Sequence, residues 1–401
     1  MRTLEFSIAE HFENPDQPMR QILTGFSRRA TISVVVMPWD SMWNDLVRIA
    51  LYKDGPLVSE IGTTWLDAMV SMEALRPFTP AEISFLGGTT AFLPTSMQSG
   101  MTAGRHETWG MPWLADTRVI YYWRDMLAHA HVEESSAFSS IECMEETLQR
   151  LRASGVATPW AVATSHVRDL VYNITPWVRA EHGDFVSENG RQLLIQQPAA
   201  LHGMAAYFQL YRFMPGWPEV SMGLPAAELF QQRQVAAILC GPWLMSTLQL
   251  DNEPTSTLAQ QIGIAAPPGP AFVGGTDLVM WKHGTREDEA VGLELLRYLL
   301  GGDKALRFCQ LTGLLPARLD LLAQPFYAHN AHFCQMVDVL KQGRTHPRLS
   351  MWGLIEERLS GVFTRVQQEL CTHPQQDVAA LLASQIMPIA ERLAVTLEHN
   401  H

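Results

Sequence analysis

The stretch that decides the fold is residues 34–46, VVVMPWDSMWNDL. Its β-branched run predicts a strand, and Pro38 ends that strand because proline lacks the backbone N–H that a sheet ladder needs. The spacing then predicts a helix over residues 41–52. Trp39 and Trp43 therefore arrive where a strand passes into a helix. Packing in a core and contact with a ligand are the two explanations for tryptophans at such a place.

A polar residue at the same junction points to helix capping. We expect Asp40 or Ser41 to cap the helix, because aspartate and serine side chains accept hydrogen bonds from the first free N–H groups of a helix. The remaining polar groups, together with Trp39, would then face away from the helix. Trp43 lies one helical turn beyond Trp39, so it either extends the same aromatic surface or packs beneath it.

Short apolar strands alternate with helices along most of the chain. This alternation predicts βα units and a mostly parallel sheet. After residue 324 the sequence predicts helices alone. The other predicted strands are 4–8, 57–61, 118–123, 235–240, 262–266 and 276–281.

Composition limits the classes of function. The 401 residues are enough for two domains or one large one, each with a full core, and 47% of them are hydrophobic while only 17% are charged. The net charge of −12 argues against binding to nucleic acid or to an anionic membrane, since both need basic surfaces. We therefore expect a globular protein with no nucleic-acid partner.

Aromatic and polar residues recur just after predicted strands. Ligands of open α/β sheets bind beyond the carboxyl ends of strands. An indole face suits the apolar C–H face of a sugar ring, while carboxylate, hydroxyl and guanidinium groups suit its hydroxyls. Core packing remains the alternative for each tryptophan. The candidates on this argument are Trp39, Asp40, Trp43, Thr63, Thr64, Trp65, Trp113, Asp116, Arg118, Trp243, Gly275, Thr276 and Asp277.

Motifs for metals, cofactors and covalent catalysis are missing from the sequence. The pairs His129-x-His131 and His329-x-x-His332 have no cysteine or carboxylate at a known ligand spacing. The sequence contains no GxSxG, P-loop, GxGxxG or HExxH motif. We expect neither a metal nor a cofactor.

Six segments follow one another in a characteristic order and together reach from the first strand to about Trp352. They are VVVMPWDSMWNDLVRIAL, GPLVSEIGTTWLDAMVSMEALRPF, WGMPWLADTRVIYYWRDML, FQQRQVAAILCGPWLMSTL, FVGGTDLVMWKHGTREDEAVGLELLRYLLGGDKALRFCQLTGLLPAR and HPRLSMW. In this order the chain resembles the extracellular solute-binding proteins of ABC importers, family 1. That family is the carbohydrate-binding group to which maltose-binding protein belongs.

The resemblance implies an α/β fold of the periplasmic-binding-protein type, with two α/β lobes, a hinge and an interlobe ligand cleft. Lobe 1 would hold residues 1–121 and 266–317, and lobe 2 would hold residues 122–265 and 318–401. Carried over position by position, the cleft-lining residues would be Trp39, Asp40, Thr64, Trp65, Asp116, Trp243 and Gly275, with Trp177 as a further candidate in lobe 2.

The implied function is that of a binding protein and not of an enzyme. It would bind a mono- or oligosaccharide by tryptophan stacking and polar hydrogen bonds, and close by hinge motion. Its partners would be the sugar and, if the protein is exported, the transmembrane permease subunits of an ABC importer. We expect a monomer.

Three alternatives remain open at this stage. A carbohydrate-active enzyme would use two cleft carboxylates such as Asp40 and Asp116 as acid and base. A polyamine or amino-acid binder would use the same fold. A cytoplasmic solute sensor is the third, because Met1 leads directly into the first predicted strand without a secretory leader, whereas the resemblance implies the periplasm or cell surface.

Overall fold

The computed structural model describes residues 2–11, 14–26, 30–102, 107–164, 167–214 and 226–399. The chain divides into two compact units. Unit 1 comprises Met1–Asp116, Val273–His329 and Arg348–Gly353. Unit 2 comprises Thr117–Phe272, Asn330–Pro347 and Leu354–His401. Each unit is therefore assembled from separate stretches of the chain.

The strands of the described residues fall into two sheets, one in each unit. In chain order they are β1 (Arg2–Ala9), β2 (Ala30–Met37), β3 (Val58–Gly62), β4 (Gly110–Thr117), β5 (Val119–Trp123), β6 (Trp160–Val162), β7 (Ala237–Cys240), β8 (Ile262–Ala265), β9 (Val273–Met280) and β10 (Leu315–Pro316).

The sheet of unit 1 has the strand order β10-β4-β9-β3-β1-β2 among the described residues. Strands β1, β2 and β3 run parallel, whereas β9 lies antiparallel to β3 and β10 antiparallel to β4. Strand β9 therefore separates β3 from β4, although it comes much later in the chain. The carboxyl ends of β1, β2 and β3 lie at one edge of this sheet, which we call the rim of unit 1.

The sheet of unit 2 has the order β6-β7-β5-β8 in the part of the chain that the structure describes. Strands β6 and β7 are parallel, and β5 is antiparallel to both of its neighbours. The carboxyl ends of β6, β7 and β8 therefore meet the amino end of β5. We call this edge the rim of unit 2.

The α-helices surround these sheets. They are α1 (Asp16–Leu23), α2 (Trp39–Tyr52), α3 (Leu66–Ser71), α4 (Pro80–Phe85), α5 (Pro94–Ser99), α6 (Arg124–His129), α7 (Ile141–Ala153), α8 (Asp169–Ala180), α9 (Pro198–Gln209), α10 (Ala226–Gln231), α11 (Trp243–Thr247), α12 (Thr257–Gln261), α13 (Arg286–Leu300), α14 (Gly302–Thr312), α15 (Leu319–Leu322), α16 (Pro325–Ala328), α17 (Ala331–Gln342), α18 (Trp352–Thr372) and α19 (Val378–His399). Short 3-10 turns occupy Thr63–Trp65, Thr89–Ala91 and Leu210–Phe213.

The predicted capping of α2 is wrong. The N-cap is Pro38, and no side chain caps the helix there. The helix begins at Trp39, so Asp40 and Ser41 already lie in its first turn. The Ser41 hydroxyl instead donates to Asp45 Oδ2 at 3.2 Å. The hydroxyl thus makes a hydrogen bond within the helix instead of capping it. Trp39 is the first residue of the helix and lies directly after the end of β2.

Strand β4 was not expected, because the sequence predicts a strand only over residues 118–123. Glycine and Pro112 within β4 weaken the local strand signal. The pairing that forms β4 comes from distant segments: Leu315 and Pro316 of β10 lie opposite Ala115 and Leu114. The local sequence of β4 does not predict pairing with strands so distant in the chain.

Helix α19 is unusually apolar. Its residues Val378–Leu397 are long and apolar enough to span a membrane by length and composition alone, and 28% of that window is buried. The helix packs against α9 within unit 2. Its buried residues include Leu382, Ile386 and Leu393, which is the pattern of a helix with one face in a core.

Candidate functional site

Three tryptophans form a cluster at the rim of unit 1, which we call the tryptophan cluster: Trp39, Trp43 and Trp65. The ring centroid of Trp65 lies 5.8 Å from those of both Trp39 and Trp43, with interplanar angles of 62° and 63°. Trp39 and Trp43 share a face of α2 because they are four residues apart. Trp65 comes from the 3-10 turn that follows β3. Strands β2 and β3 thus deliver the three rings to one place.

The three rings differ in exposure. Trp65 is 4% exposed and packs in the core of unit 1, whereas Trp39 and Trp43 are only partly buried at its surface. Edge-to-face packing against Trp65 fixes the orientation of the two outer indoles. The cluster therefore presents aromatic surface to solvent from a rigid base.

A buried carboxylate lies beside the cluster, and the sequence reasoning missed it. Glu60 of β3 is fully buried, and its Oε2 accepts a hydrogen bond from the backbone N–H of Ala9 at 2.8 Å. Its Oε1 lies 2.6 Å from Nε2 of His11. The His11 ring packs edge-on against Trp39 with centroids 5.5 Å apart. A charged residue in the middle of the short strand VSEIG was the sequence signal.

The predicted residues of β9 reach the same rim from the opposite direction. Thr276 lies opposite Gly62 at the end of β3. Gly275 has φ +123°, and a Cβ there would lie 2.0 Å from the carbonyl oxygen of Leu114. Only glycine allows β4 and β9 to approach so closely. Asp116 follows Leu114 by two residues, near the end of β4, and is partly buried.

Asp277 lies inside unit 1 and not at its exposed surface. It is fully buried, and its Oδ1 accepts a hydrogen bond from the Ser99 hydroxyl at 3.1 Å. Within the described residues its other carboxylate oxygen has no hydrogen-bond partner. Burial raises the pKa of Asp277 to about 7, although the Ser99 hydrogen bond acts in the other direction.

Unit 2 carries a different arrangement at its rim, centred on Arg118. The Arg118 guanidinium donates from Nε to Asn173 Oδ1 at 3.2 Å and from Nη2 to Asp169 Oδ1 at 3.1 Å. Its Cζ lies 4.8 Å from the centroid of the Trp243 ring. We call Arg118 and Trp243 the arginine–tryptophan pair. Arg118 is 2% exposed, so a fixed cation underlies the partly exposed indole of Trp243.

The backbone explains how these two residues meet. Val119 of β5 pairs with Cys240 of β7, which places Arg118 opposite Gly241. A Cβ at Gly241 would lie 1.9 Å from the Trp243 ring. The indole therefore lies directly over the glycine backbone. The sequence reasoning found Trp243 and Arg118 but missed Asp169 and Asn173, which hold the guanidinium.

Besides Trp65, two further predicted tryptophans are buried inside their units. Trp113 lies in the core of unit 1, stacked on Phe308 at 5.0 Å with an interplanar angle of 8°. Trp177 lies in the core of unit 2, edge-to-face with Trp160 and Tyr207. Contact between a ligand and either indole would require neighbouring side chains to move.

The rims bring most of the predicted residues together, unit by unit. The residues at the rim of unit 1 are Trp39, Asp40, Trp43, Thr63, Thr64, Trp65, Asp116, Gly275 and Thr276, and Trp243 is at the rim of unit 2. Asp40 is exposed, while Thr63 and Thr64 are partly buried. Across the described part of the chain, no group of three His, Cys, Asp or Glu side chains could hold a metal ion.

Comparison with known proteins identifies the family. Residues 24–335 match the family model of the bacterial extracellular solute-binding proteins. This chain belongs to that family. A binding protein of Brucella abortus is 22% identical to this solute-binding protein over 354 residues, covering 85% of this chain and 80% of its own. An ABC transporter-binding protein of Deinococcus radiodurans is 21% identical over 296 residues, covering 69% and 66% of the two chains.

Solved structures show the fold of this solute-binding protein. Maltose-bound MalE3 of T. maritima aligns with a TM-score of 0.78 at 17% identity, covering 97% of this chain and 100% of its own. A solute-binding protein of Thermotoga lettingae bound with α-D-tagatose aligns with a TM-score of 0.80 at 15% identity over 99% and 100%. UgpB of Mycobacterium tuberculosis, in complex with glycerophosphocholine, aligns with a TM-score of 0.76 at 14% identity over 100% and 99%.

These matches confirm the predicted family and the α/β fold of the periplasmic-binding-protein type. The family and its structural neighbours are binding proteins and not enzymes. It is also a family of extracellular proteins that serve ABC transporters. The neighbours' ligands include two sugars and a glycerophosphodiester, so the fold alone does not select one chemical class.

Proposed function

We propose that this solute-binding protein binds a carbohydrate at the rim of unit 1, with the tryptophan cluster as its stacking surface. The observation that carries the proposal is the pair of partly exposed indoles of Trp39 and Trp43, held edge-on against buried Trp65. Rigid aromatic faces at the carboxyl ends of parallel strands suit the C–H face of a sugar ring.

Polar groups beside the cluster are suited to sugar hydroxyls. Thr63 and Thr64 follow β3, and Asp40 follows β2, all with side chains at least partly exposed. Hydroxyl and carboxylate oxygens accept hydrogen bonds from a sugar, and a hydroxyl can also donate. Gly275 and Thr276 at the start of β9 and Asp116 at the end of β4 extend the same rim. Together these groups would fix the orientation of a ring stacked on the indoles.

In unit 2 we propose Trp243 as a further stacking surface. The Arg118 guanidinium beneath its indole is held by Asp169 and Asn173, so the ring is fixed before any ligand arrives. Preorganisation of this kind reduces the ordering cost of binding. Binding would proceed with no covalent chemistry and would shift the protein toward a closed conformation.

The wider role we propose is delivery of the sugar to an ABC importer. This solute-binding protein would act outside the cytoplasm, as a monomer, and would present its ligand to the transmembrane permease subunits. Its relatives support this role, because one is named an ABC transporter-binding protein and the matched family is extracellular.

Calorimetry on the full chain tests the proposal. Maltose, tagatose and glycerophosphocholine are titrated in turn, because the structural neighbours bind these compounds. Trp39→Ala is compared with Tyr52→Ala, which removes a 76% exposed aromatic ring at the other end of the same helix. We expect a sugar to bind, Trp39→Ala to weaken it at least about tenfold (about 1.4 kcal/mol), and Tyr52→Ala to leave it unchanged.

Two results would contradict the proposal. Equal sugar affinity in both variants would remove the tryptophan cluster from the site. Binding of glycerophosphocholine without any sugar would assign the protein to another ligand class. Chromatography of the recovered sugar separates binding from catalysis: an intact sugar supports a binding protein, whereas a cleaved product would favour Asp40 and Asp116 as catalysts.

A further inference from the structure

A groove in unit 2 lies apart from the residues discussed so far and has a volume of about 710 Å³. This falls within the roughly 300–1,000 Å³ usual for small-molecule sites. The groove is lined by residues of α18 and α19 and by the two residues before α8. Its lining residues are Val167, Arg168, Leu354, Glu357, Arg358, Ser360, Gly361, Arg365, Ile389, Arg392, Leu393 and Thr396. We call it the arginine groove.

Helical spacing explains how the arginine groove forms. Residues 354, 357, 358, 361 and 365 lie on one face of α18, and residues 389, 392, 393 and 396 on one face of α19. A short connection, residues 373–377, joins the two helices as an antiparallel pair. Arg365 Nε donates to Gln385 Oε1 at 3.1 Å and sets the register between them. Arg358 and Arg392 each lie seven residues, about two helical turns, from one member of this hydrogen-bonded pair, so helical spacing places them at about the same level.

The charge of the arginine groove is opposite to that of the protein. The whole chain carries −12, yet four arginines and a single glutamate line this one groove. Arg168 is engaged with buried Glu356 at 3.6 Å. Within the described residues, neither Arg358 nor Arg392 forms an ion pair with a carboxylate. Two arginines without an ion-pair partner in one groove favour an anion there.

The floor of the groove adds two further observations. Ser360 is 4% exposed, and its hydroxyl has no hydrogen-bond partner among the described residues. A buried hydroxyl without a partner costs free energy that a bound ligand could recover. Leu354, Ile389 and Leu393 make much of the remaining lining apolar. The arginine groove thus combines cations, an available hydroxyl and an apolar floor.

We propose that the arginine groove binds an amphiphilic monoanion, a small molecule with one carboxylate, sulfonate or phosphate head and an apolar body. Arg358 and Arg392 would hold the head by charge-assisted hydrogen bonds, and the leucine and isoleucine side chains would cover the body. Glu357 on the same wall disfavours a second negative charge on the ligand. Carbohydrate bound at the rim of unit 1 plays no part in this site.

The test uses the fluorescent probe 1-anilinonaphthalene-8-sulfonate with the full chain. We expect one-to-one binding, displacement by octyl phosphate, and little displacement by inorganic phosphate or octyl glucoside. The double variant Arg358→Gln/Arg392→Gln should weaken the probe at least about tenfold. The matched control Arg48→Gln/Arg307→Gln removes the same charge from exposed positions in unit 1 and should leave affinity unchanged.

A second pair of variants acts through shape and leaves the charge intact. Gly361 lies on the groove wall, where an added Cβ would meet only Arg365 Nη1 at 3.6 Å. Gly361→Leu should fill the groove and abolish probe binding, whereas Gly361→Ala should retain it. Circular dichroism melting confirms that both variants fold.

Several outcomes would overturn the proposal. Unchanged probe affinity in the Arg358→Gln/Arg392→Gln variant would place the probe elsewhere. Equal displacement by inorganic phosphate would show a simple anion site, and equal displacement by octyl glucoside a merely apolar surface. Displacement by an acidic peptide but not by octyl phosphate would point to a protein partner. Loss of probe binding in Trp39→Ala would assign the probe to the tryptophan cluster.

Discussion

The rims of the two units hold their partly exposed tryptophans in place by different physical interactions. In unit 1, three indoles support one another edge-to-face, and the outer two keep exposed surface. In unit 2, one indole rests on a guanidinium that a carboxylate and an amide hold in place. The tryptophan cluster depends on packing, whereas the arginine–tryptophan pair depends on a buried charge network. The two rims should therefore respond differently to truncation, to pH and to the loss of a glycine.

The buried carboxylates show the same contrast. Asp169 in unit 2 has the guanidinium of Arg118 within 3.1 Å. Asp277 in unit 1 has a neutral serine hydroxyl and a pKa raised to about 7 by burial. Asp169 therefore has a cationic partner, whereas Asp277, unlike Glu60 beside His11 in the same unit, has none among the described residues. Variants that remove each feature measure how far this difference extends.

The largest effect should come from Arg118→Ala. It leaves the Asp169 carboxylate and the Asn173 amide without their guanidinium inside unit 2, and breaking a buried ion pair costs about 3–5 kcal/mol. Urea unfolding of the full chain gives the loss of stability. Arg48→Ala is the control, because its pair with Asp45 is largely exposed and is worth about 0–1 kcal/mol. Equal losses in both variants would show that the Arg118 network contributes nothing special.

A nearly equal effect, dependent on pH, should come from Asp277→Asn. The folded pKa of about 7 lies above the ordinary 3.8, so the unfolded chain releases the proton first as pH rises. Wild-type stability then falls between about pH 4 and pH 7, by up to about 4 kcal/mol. The amide should remove this fall, so the variant should be the more stable protein at pH 8 and similar near pH 4.

Urea unfolding at several pH values checks the Asp277 prediction. Asp16→Asn serves as the control, since that partly exposed aspartate pairs with Arg20 on the surface of α1. Stability profiles that stay parallel for wild type and Asp277→Asn across this range would contradict a raised pKa at Asp277.

An intermediate effect on stability should come from Gly241→Ala, and the matched variant Gly62→Ala should change stability less. Both glycines lie at a strand end shortly before a tryptophan. Gly241→Ala places a Cβ within 1.9 Å of the Trp243 ring and must displace the indole from Arg118. We expect a cost of about 1–3 kcal/mol, as for other overpacked sites. Gly62→Ala places its Cβ 3.4 Å from the Trp65 ring, an ordinary contact, and should change stability far less. Thermal melting compares the two variants directly.

The smallest effect should come from Trp243→Phe. A phenyl ring still offers an aromatic face to Arg118, so the change in stability should stay below about 1 kcal/mol. Sugar affinity by calorimetry gives the more informative reading. A clear loss of affinity with unchanged stability would support Trp243 as a stacking residue, whereas no change in either quantity would restrict stacking to the tryptophan cluster.

Local periodicity predicted individual strands and helices, whereas the two-lobe fold was what the family resemblance implied. The expected mostly parallel sheet is wrong, because both sheets mix parallel and antiparallel pairs. The strand ending at Pro38, the helix carrying Trp43 and the strand over 118–123 each rest on periodicity within a few residues. Trp39, Trp43 and Trp65, which the sequence placed just after strand ends, lie together at one edge of the sheet. Their role in binding stays a prediction.

Structural features that depend on contacts between distant segments could not be predicted from the sequence. Strand β4 exists because β9 and β10 flank it, and neither is near it in the chain. The Arg118 network needs α8 to approach the start of β5. Trp113 was a candidate from its sequence neighbours and Trp177 from the family resemblance, yet both pack inside cores. Burial of a tryptophan depends on which distant residues pack around its indole, and local periodicity does not predict those residues.

The position of β9 has a consequence for synthesis on the ribosome. β9 joins β3 to β4 in the sheet of unit 1, but it follows Thr117–Phe272, a long stretch that belongs to unit 2. While that stretch is translated, roughly 10–30 s at usual rates, β3 and β4 emerge without their common neighbour. Unpaired strand edges invite pairing with other chains. The nascent protein therefore passes through a period in which a chaperone holding these edges would protect it from aggregation.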